Sequence, residues 1–428
     1  MRRRLRGAGA ASGDGSGRPQ DAGATVGILD KGGSGSVPPS AAIRAHRRAR
    51  NSAGSPLAFE RIDPAEYAAG RTGRLDVLLV VRDALPVAQA RRVVDRAASE
   101  GTRVVLDLDD DLVTEHATAR LVGQGYDAER LAVLRDLLGE VALVGLAAHV
   151  EQPHLVLLRH RLDVAGWRLA GPQQRVELVG QEQHRGVCRR AHEVGQHGRA
   201  HRHRRDLAEQ VAEHGQPLGV VALSDELDPL LWAGEPPPAD VEPMSEQDQV
   251  RLLYMGSKTH QGDLALLDGL PRALAKRLGA PVTLELVGVT AGEVPEGTRR
   301  LVPDKSNYAG FVRWLRRHRH RWHAAVAPLE DTPFNASKSD LKLLEYAALE
   351  VAAVASPTGP YACADPALAL PAGDRAAWVD ALEVAVRQRA ERGPAADARA
   401  WVLEHRTMTE DSVAAWHGML TGGAGAGT

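Results

Sequence analysis

Short apolar runs bounded by polar residues or glycine alternate along this chain with longer stretches of helical periodicity. Thr25–Leu29, Leu75–Val81, Arg103–Asp107 and Val141–Val144 read as buried strands. Helices are predicted from about Ile43 to Arg50, from Pro86 to Ser99 with proline in the first turn, and from Asp127 to Leu138. The pattern restarts at Val250–Met255. It continues through a helix over Asp263–Leu278, the strand Val282–Val287, a helix over Tyr308–His320 and the strand Ala324–Pro328. A helix over Ser339–Leu349 and the strand Val351–Ser356 complete it. Alternation of this kind predicts parallel α/β sheets. Two such series, joined by the Pro/Glu-rich stretch Gly234–Glu246, predict two Rossmann-like lobes facing a central cleft that holds the ligand.

The expected division is a flexible Gly/Ala/Ser/Arg tail over 1–24, an N-terminal lobe over 25–225, a C-terminal lobe over 226–405, and a C-terminal helix with a flexible tail over 406–428. The N-terminal lobe contains an irregular segment, about 147–217, with neither strand alternation nor a sustained apolar helix face. Nine of the chain's 17 histidines fall between His149 and His214, among many Arg and Gln. Text of this kind is what GC-rich DNA yields when translated in a wrong frame, and resequencing the gene would decide it. The run Leu218–Leu223 then reads as a strand again.

With 428 residues the chain is too long for one core. Lys+Arg is 53 against Asp+Glu 55, a formal net charge of -2, which argues against a nucleic-acid coat or a polybasic membrane anchor. Arg outnumbers Lys 47 to 6, as in products of GC-rich genes, so Arg clusters carry less weight here. Cys188 and Cys363 are the only cysteines, which excludes a disulfide framework and a four-cysteine zinc site. The basic N-terminus leads into no apolar core, so a cytoplasmic protein is expected.

The densest chemistry lies between His323 and Tyr361. A strand ends, a polar loop carries Asn335 and Lys338 to a helix start, and Lys342 and Glu345 then share one helix face. A helix N-terminus with an adjacent lysine suits a diphosphate, and a carboxylate farther along can accept hydrogen bonds from ribose hydroxyls. The plainer reading is a helix packed on a sheet with a solvated Lys/Glu face.

This stretch, with Ser356 and Tyr361 beyond it, resembles the C-terminal lobe of GT-B fold glycosyltransferases of group 1, the family 4-like class, over about Leu252–Arg375. The resemblance implies a nucleotide-sugar donor, a hexosyltransferase-type reaction with retention, an acceptor on the N-terminal lobe and no metal or other cofactor. It implies that Glu345 binds the ribose. Many relatives carry a second glutamate where this chain has Ser337. Met255–His260, with Asp263 beyond, resembles the family's first loop of the nucleotide-binding lobe. There Gly256 would let the backbone approach a phosphate and Lys258 would neutralise it. The glycine-rich loop Lys31–Ser36, centred on Gly33, and the acidic run containing Asp109 and Asp110 would lie on the acceptor side.

Asp107 and Asp109 also resemble the Asp-x-Asp opening of haloacid-dehalogenase-type, Mg-dependent phosphatases, although Asp111 stands where that family expects Thr or Val. A solvated acidic loop is the bland alternative. His192, His197, His201 and His203 have no second ligand cluster, so no metal site is assigned. Aromatic residues do not interleave the basic ones there, which argues against nucleic acid as partner. The sequence thus predicts a glycosyltransferase acting on a glycan, lipid or small-molecule acceptor, with a peripheral membrane contact left open. The alternatives are the phosphatase, or a non-catalytic nucleotide-sugar-binding protein should the N-terminal lobe be defective.

Overall fold

The computed structural model describes residues 23–32, 35–108, 112, 115–137, 142–144, 225–235, 249–256, 260, 262–288, 296–303, 307–336, 338–389 and 393–421. The predicted tail as far as residue 22, the irregular segment 147–217, the strand Leu218–Leu223 and most of the Pro/Glu-rich stretch lie outside them.

Two all-parallel sheets form the framework. The first contains β1 (Thr25–Leu29), β2 (Ala58–Ile62), β3 (Val77–Val81), β4 (Arg103–Asp107) and β5 (Ala142–Val144), in the order β2-β1-β3-β4-β5. The second contains β6 (Val250–Met255), β7 (Val282–Val287), β8 (Thr298–Leu301), β9 (Ala324–Ala327), β10 (Ala353–Ala355) and β11 (Leu370–Pro371), in the order β11-β10-β9-β6-β7-β8. Both lobes are Rossmann-like, as the alternating pattern predicts.

The strand sequences explain why both faces of each sheet are covered. All five residues of β3 are buried. Leu78 and Val80 enter one core, whereas Val77, Leu79 and Val81 enter the other. In β6, Leu253 and Met255 face one core while Val250, Leu252 and Tyr254 face its opposite. Unbroken apolar strands of this type need helices on both sides. The helix Val87–Glu100 supplies Ala90, Val93 and Ala97 at helical spacing and stops at Gly101, whose φ of 69° closes the last turn.

Several elements differ from the sequence-based expectation. The helix expected over Asp263–Leu278 is divided into a 3-10 segment, Gly262–Leu267, and a helix, Leu270–Leu278. Gly269, at φ 66°, turns the chain between them and Pro271 opens the second piece. Edge strands β2, β8 and β11 were not predicted, since their exposed alternate residues break the apolar runs. Among the described residues no helix is long and apolar enough to cross a membrane.

Among the described residues the lobes are joined at three places. The helix Glu410–Thr421 returns from the C-terminal lobe to the first sheet, where Trp416 and Leu420 pack with Val26, Ile28 and Leu79, and Trp416 stacks on Phe59 at 5.2 Å. Phe334, from the short helix Pro333–Ala336 after β9, is fully buried in the N-terminal core that includes Leu108 and Leu121. Beside it, Arg120 of the helix Glu115–Gly123 reaches Glu330 and Thr332, each at 3.2 Å. Finally, the segment from Asp225 to Trp232 is tied to both sides. Arg44 and Arg48 reach Asp225 and Glu226 at 3.5 and 3.4 Å, and Asn51 donates to Asp228 at 3.2 Å. Arg406 donates to the Asp225 carbonyl at 3.1 Å.

Candidate functional site

Strand order locates the site before any side chain is considered. In the second sheet the chain runs from β6 outward through β7 and β8, then crosses to β9 on the other side of β6. The loops leaving β6 and β9 therefore start in opposite directions at the carboxyl ends of these strands, the place where open α/β sheets generally bind ligands. Gly256 follows β6, and the segment with Asn335, Lys338, Lys342 and Glu345 follows β9. The structure thus brings together Gly256 and four of the polar residues singled out in the sequence.

A buried polar knot ties the two loops. Asp263 is fully buried; it accepts from the Glu330 amide at 2.9 Å and from Asn335 Nδ2 at 3.1 Å, and pairs with His260 Nδ1 at 2.7 Å. Asn335 Nδ2 also donates to the Glu330 carbonyl at 2.9 Å. Burial would raise the Asp263 carboxyl, but the His260 contact, the Glu330 amide and the Lys342 charge together hold it below its usual range. Burial, aided by the Lys342 charge, pulls the His260 imidazole down to about 4 against the Asp263 contact. A neutral ring then donates one nitrogen to Asp263 and keeps the other as an acceptor. His260 and Asp263 stood in the sequence without an assigned role. No local pattern links them to Asn335, which lies more than 70 residues downstream.

Beyond the knot the charges are arranged in sequence. Lys338 is 7% exposed, and its ammonium lies 4.5 Å from the centroid of Phe334. Lys342 sits one helical turn on. Its ammonium is buried, has no hydrogen-bond partner among the described residues, and lies 4.8 Å over the Tyr254 ring. Burial draws it down to about 8, with Asp263 opposing. Glu345 is 8% exposed and accepts a hydrogen bond from Tyr308 Oη at 2.7 Å. Burial pushes this carboxyl up to about 7 against the Tyr308 bond and the charge of Arg47. A buried cation without a hydrogen-bond partner among the described residues, one turn from a reluctant carboxylate, suits an anionic ligand that also carries hydroxyls.

Two expectations are refined. The helix Leu341–Ala348 begins at Asp340, an acid where a phosphate was expected to meet bare amides. The Arg406 guanidinium neutralises it through two bonds of 2.8 Å, so cationic side chains rather than the helix end dominate the local field. Gly256 has a packing reason to be glycine, since a Cβ there would meet the Tyr254 ring at 2.8 Å. The same ring underlies Lys342.

Lys258, Gly33, Asp109, Asp110 and Ser337 lie outside the described residues. Asp107 is described and corrects the phosphatase alternative. It is 4% exposed, and Arg44 holds its carboxylate through Nε at 2.8 Å and Nη2 at 2.7 Å. A carboxylate clamped in this way is not poised to attack phosphorus.

No known-family model matches the chain, and no curated protein sequence matches it. Solved structures are similar to it at the level of shape. HepE of Anabaena in complex with UDP and glucose is 11% identical, over 90% of this chain and 96% of that one, with a TM-score of 0.45. The pneumococcal O-GlcNAc transferase GtfA, in complex with UDP and GlcNAc, is 10% identical over 83% of this chain and 58% of that one, at 0.42. The N-terminal domain of Candida albicans trehalose-6-phosphate phosphatase is 8% identical over 95% and 98%, at 0.46. Scores and identities this low carry no argument about activity, which rests on the residues of the site.

Proposed function

We propose that the protein is a glycosyltransferase that moves a sugar from a nucleoside-diphosphate donor to a hydroxyl acceptor with retention. One observation carries this reading: Lys338, Lys342 and Glu345 follow β9 beside the point where the chain reverses direction across the second sheet, and the buried Lys342 ammonium has no hydrogen-bond partner among the described residues. The diphosphate would lie against Lys338 and Lys342, which stabilise the negative charge that grows on it as the glycosidic bond breaks. Lys258 would add a third cation from the β6 loop. Glu345, oriented by Tyr308, would accept from the ribose hydroxyls. The Asp263 knot would hold the β6 and β9 loops at fixed separation, so these groups meet the ligand without rearrangement. Retention rests on the family resemblance, as does the absence of a metal or other cofactor from the scheme. Gly33, Asp109 and Asp110 would belong to the acceptor side, whether the acceptor is a glycan, a small molecule or a lipid met at a membrane surface.

The test is release of nucleoside diphosphate from UDP-, GDP- and ADP-sugars by the full chain, followed by chromatography. Release from one donor class that drops at least about a hundredfold in Lys338→Gln is expected. A chain that binds none of these donors and releases no diphosphate overturns the reading.

A further inference from the structure

The N-terminal sheet has its own divergence point. The chain runs from β1 to β2, then crosses to β3 on the other side of β1, so a crevice opens outside the carboxyl ends of β1 and β3. A cavity of about 420 Å3 lies there, lined by Lys31, Gly125, Tyr126, Asp127 and Arg130. Lys31 follows β1, Gly125, Tyr126 and Asp127 join the helices Glu115–Gly123 and Ala128–Leu137, and Arg130 lies in the first turn of the second. The first of these helices is the one whose Arg120 touches the C-terminal lobe.

The lining groups are not equivalent in what they leave free. Asp127 spends Oδ1 on the Glu129 and Arg130 amides at 2.9 and 3.2 Å. Asp83, at the end of β3 and 3% exposed, pairs with Lys31. Among the described residues Lys31 has one ionic partner, and it lies 5.2 Å from the Tyr126 ring centroid, so part of its ammonium remains for a ligand. Arg130 is committed still less. Its contacts are 3.5 Å to the Asp83 carbonyl and 4.0 Å to Asp127 Oδ2, at or beyond hydrogen-bond range. Both cations thus converge on Asp83 and both keep donors for the cavity, whereas Asp83 is buried and does not line it, its Oδ1 having no hydrogen-bond partner among the described residues, and Asp127 has only Oδ2 to offer. A ligand that satisfies this wall must be rich in acceptors, and the guanidinium fork matches a planar or tetrahedral oxyanion.

We propose that this cavity binds the acceptor by an anionic substituent, a phosphate or carboxylate gripped by Lys31 and Arg130, with the acceptor's carbon skeleton against Tyr126. The inference rests on the glycosyl-transfer reading for the word acceptor, while the anion site stands on the cavity alone. It assigns the substrate class as a phosphorylated or carboxylated polyol rather than a neutral one.

The experiment is calorimetric titration of the full chain with glucose 6-phosphate, glucuronate and glucose, repeated in Arg130→Gln, Lys31→Arg and Lys338→Gln. Binding of at least one anionic sugar is expected, with glucose at least about tenfold weaker. Which anionic sugar binds tells phosphate from carboxylate. Arg130→Gln, at a partly exposed position that leaves the fold intact, should weaken the anion at least about tenfold, while Lys31→Arg and Lys338→Gln leave it bound. Glucose binding as tightly as the anions, indifference to Arg130→Gln, loss in Lys338→Gln, or no binding of either anion overturns the proposal. Diphosphate release measured in parallel reads the donor site separately, so failure here leaves that result standing.

Discussion

Replacing Glu345 with glutamine should change how stability and ligand binding respond to pH. Burial moves this carboxyl from 4.5 to about 7, so at about 1.4 kcal/mol per pH unit its ionisation costs the folded state about 3 kcal/mol. Between pH 4.5 and 7 the native protein keeps a proton that the unfolded chain has lost. This contribution therefore falls as pH rises through that window and is constant above it. His260 and His323, both pulled down to about 4 chiefly by burial, act in the opposite sense between pH 4 and 6.5, so the wild-type profile alone is ambiguous. The difference between wild type and Glu345→Gln cancels the histidines. Urea unfolding followed by tryptophan fluorescence at half-unit steps from pH 5 to 8 should show Glu345→Gln gaining relative stability toward pH 7. The gain should be up to about 3 kcal/mol across the window, less whatever the altered Tyr308 contact costs. In parallel, nucleotide-sugar affinity should fall about tenfold per pH unit below 7 in wild type, because only the carboxylate accepts from the ribose, and stay level in the variant. A pH-independent stability difference, or an affinity profile that survives in Glu345→Gln, would refute the reasoning.

Lys342→Met removes a buried charge that has no hydrogen-bond partner among the described residues, so the protein without ligand at pH 7 should become more stable, by up to about 3 kcal/mol from the shift of 10.5 to about 8. The same variant should bind the donor at least about tenfold more weakly, which calorimetry measures. Arg406→Ala strands the buried Asp340 carboxylate and should cost about 3–5 kcal/mol in urea unfolding, with Asp340→Asn less harmful than the arginine deletion. Phe334→Ala empties a fully buried position where the C-terminal lobe enters the N-terminal core. A loss of about 3 kcal/mol is expected, with a larger radius of gyration in X-ray scattering if the lobes separate.

The parts of the fold legible in the sequence were those where one residue run decides the outcome. The central strand β3 is buried at every position and an uninterrupted apolar run states that directly, while β6, broken only by Arg251, and β7, broken only by Thr283 and Glu285, stay apolar enough to read as strands. Edge strands β2 and β8 are half solvated, so their composition alone does not distinguish them from loops. In the site, Lys338, Lys342 and Glu345 lie close together along the chain and could be read as a unit. The Asp263–Asn335 bond, the Tyr308–Glu345 bond and the Arg44 clamp on Asp107 join residues 37 to 72 positions apart. Such pairings are created by the sheet crossovers and leave no periodic signal. The Arg excess misled in a related way. Arg44, Arg47 and Arg48 looked like background composition, yet all three are buried where the lobes meet.

The central claim is that the segments following β6 and β9 grip a nucleoside-diphosphate sugar. Its most direct test is calorimetric titration of wild type, Lys338→Gln and Glu345→Gln with UDP-, GDP- and ADP-glucose at pH 8, where Glu345 is ionised. The account predicts that one donor binds to wild type with one-to-one stoichiometry and at least about tenfold more weakly to each variant. A donor that binds all three proteins with equal affinity would contradict it.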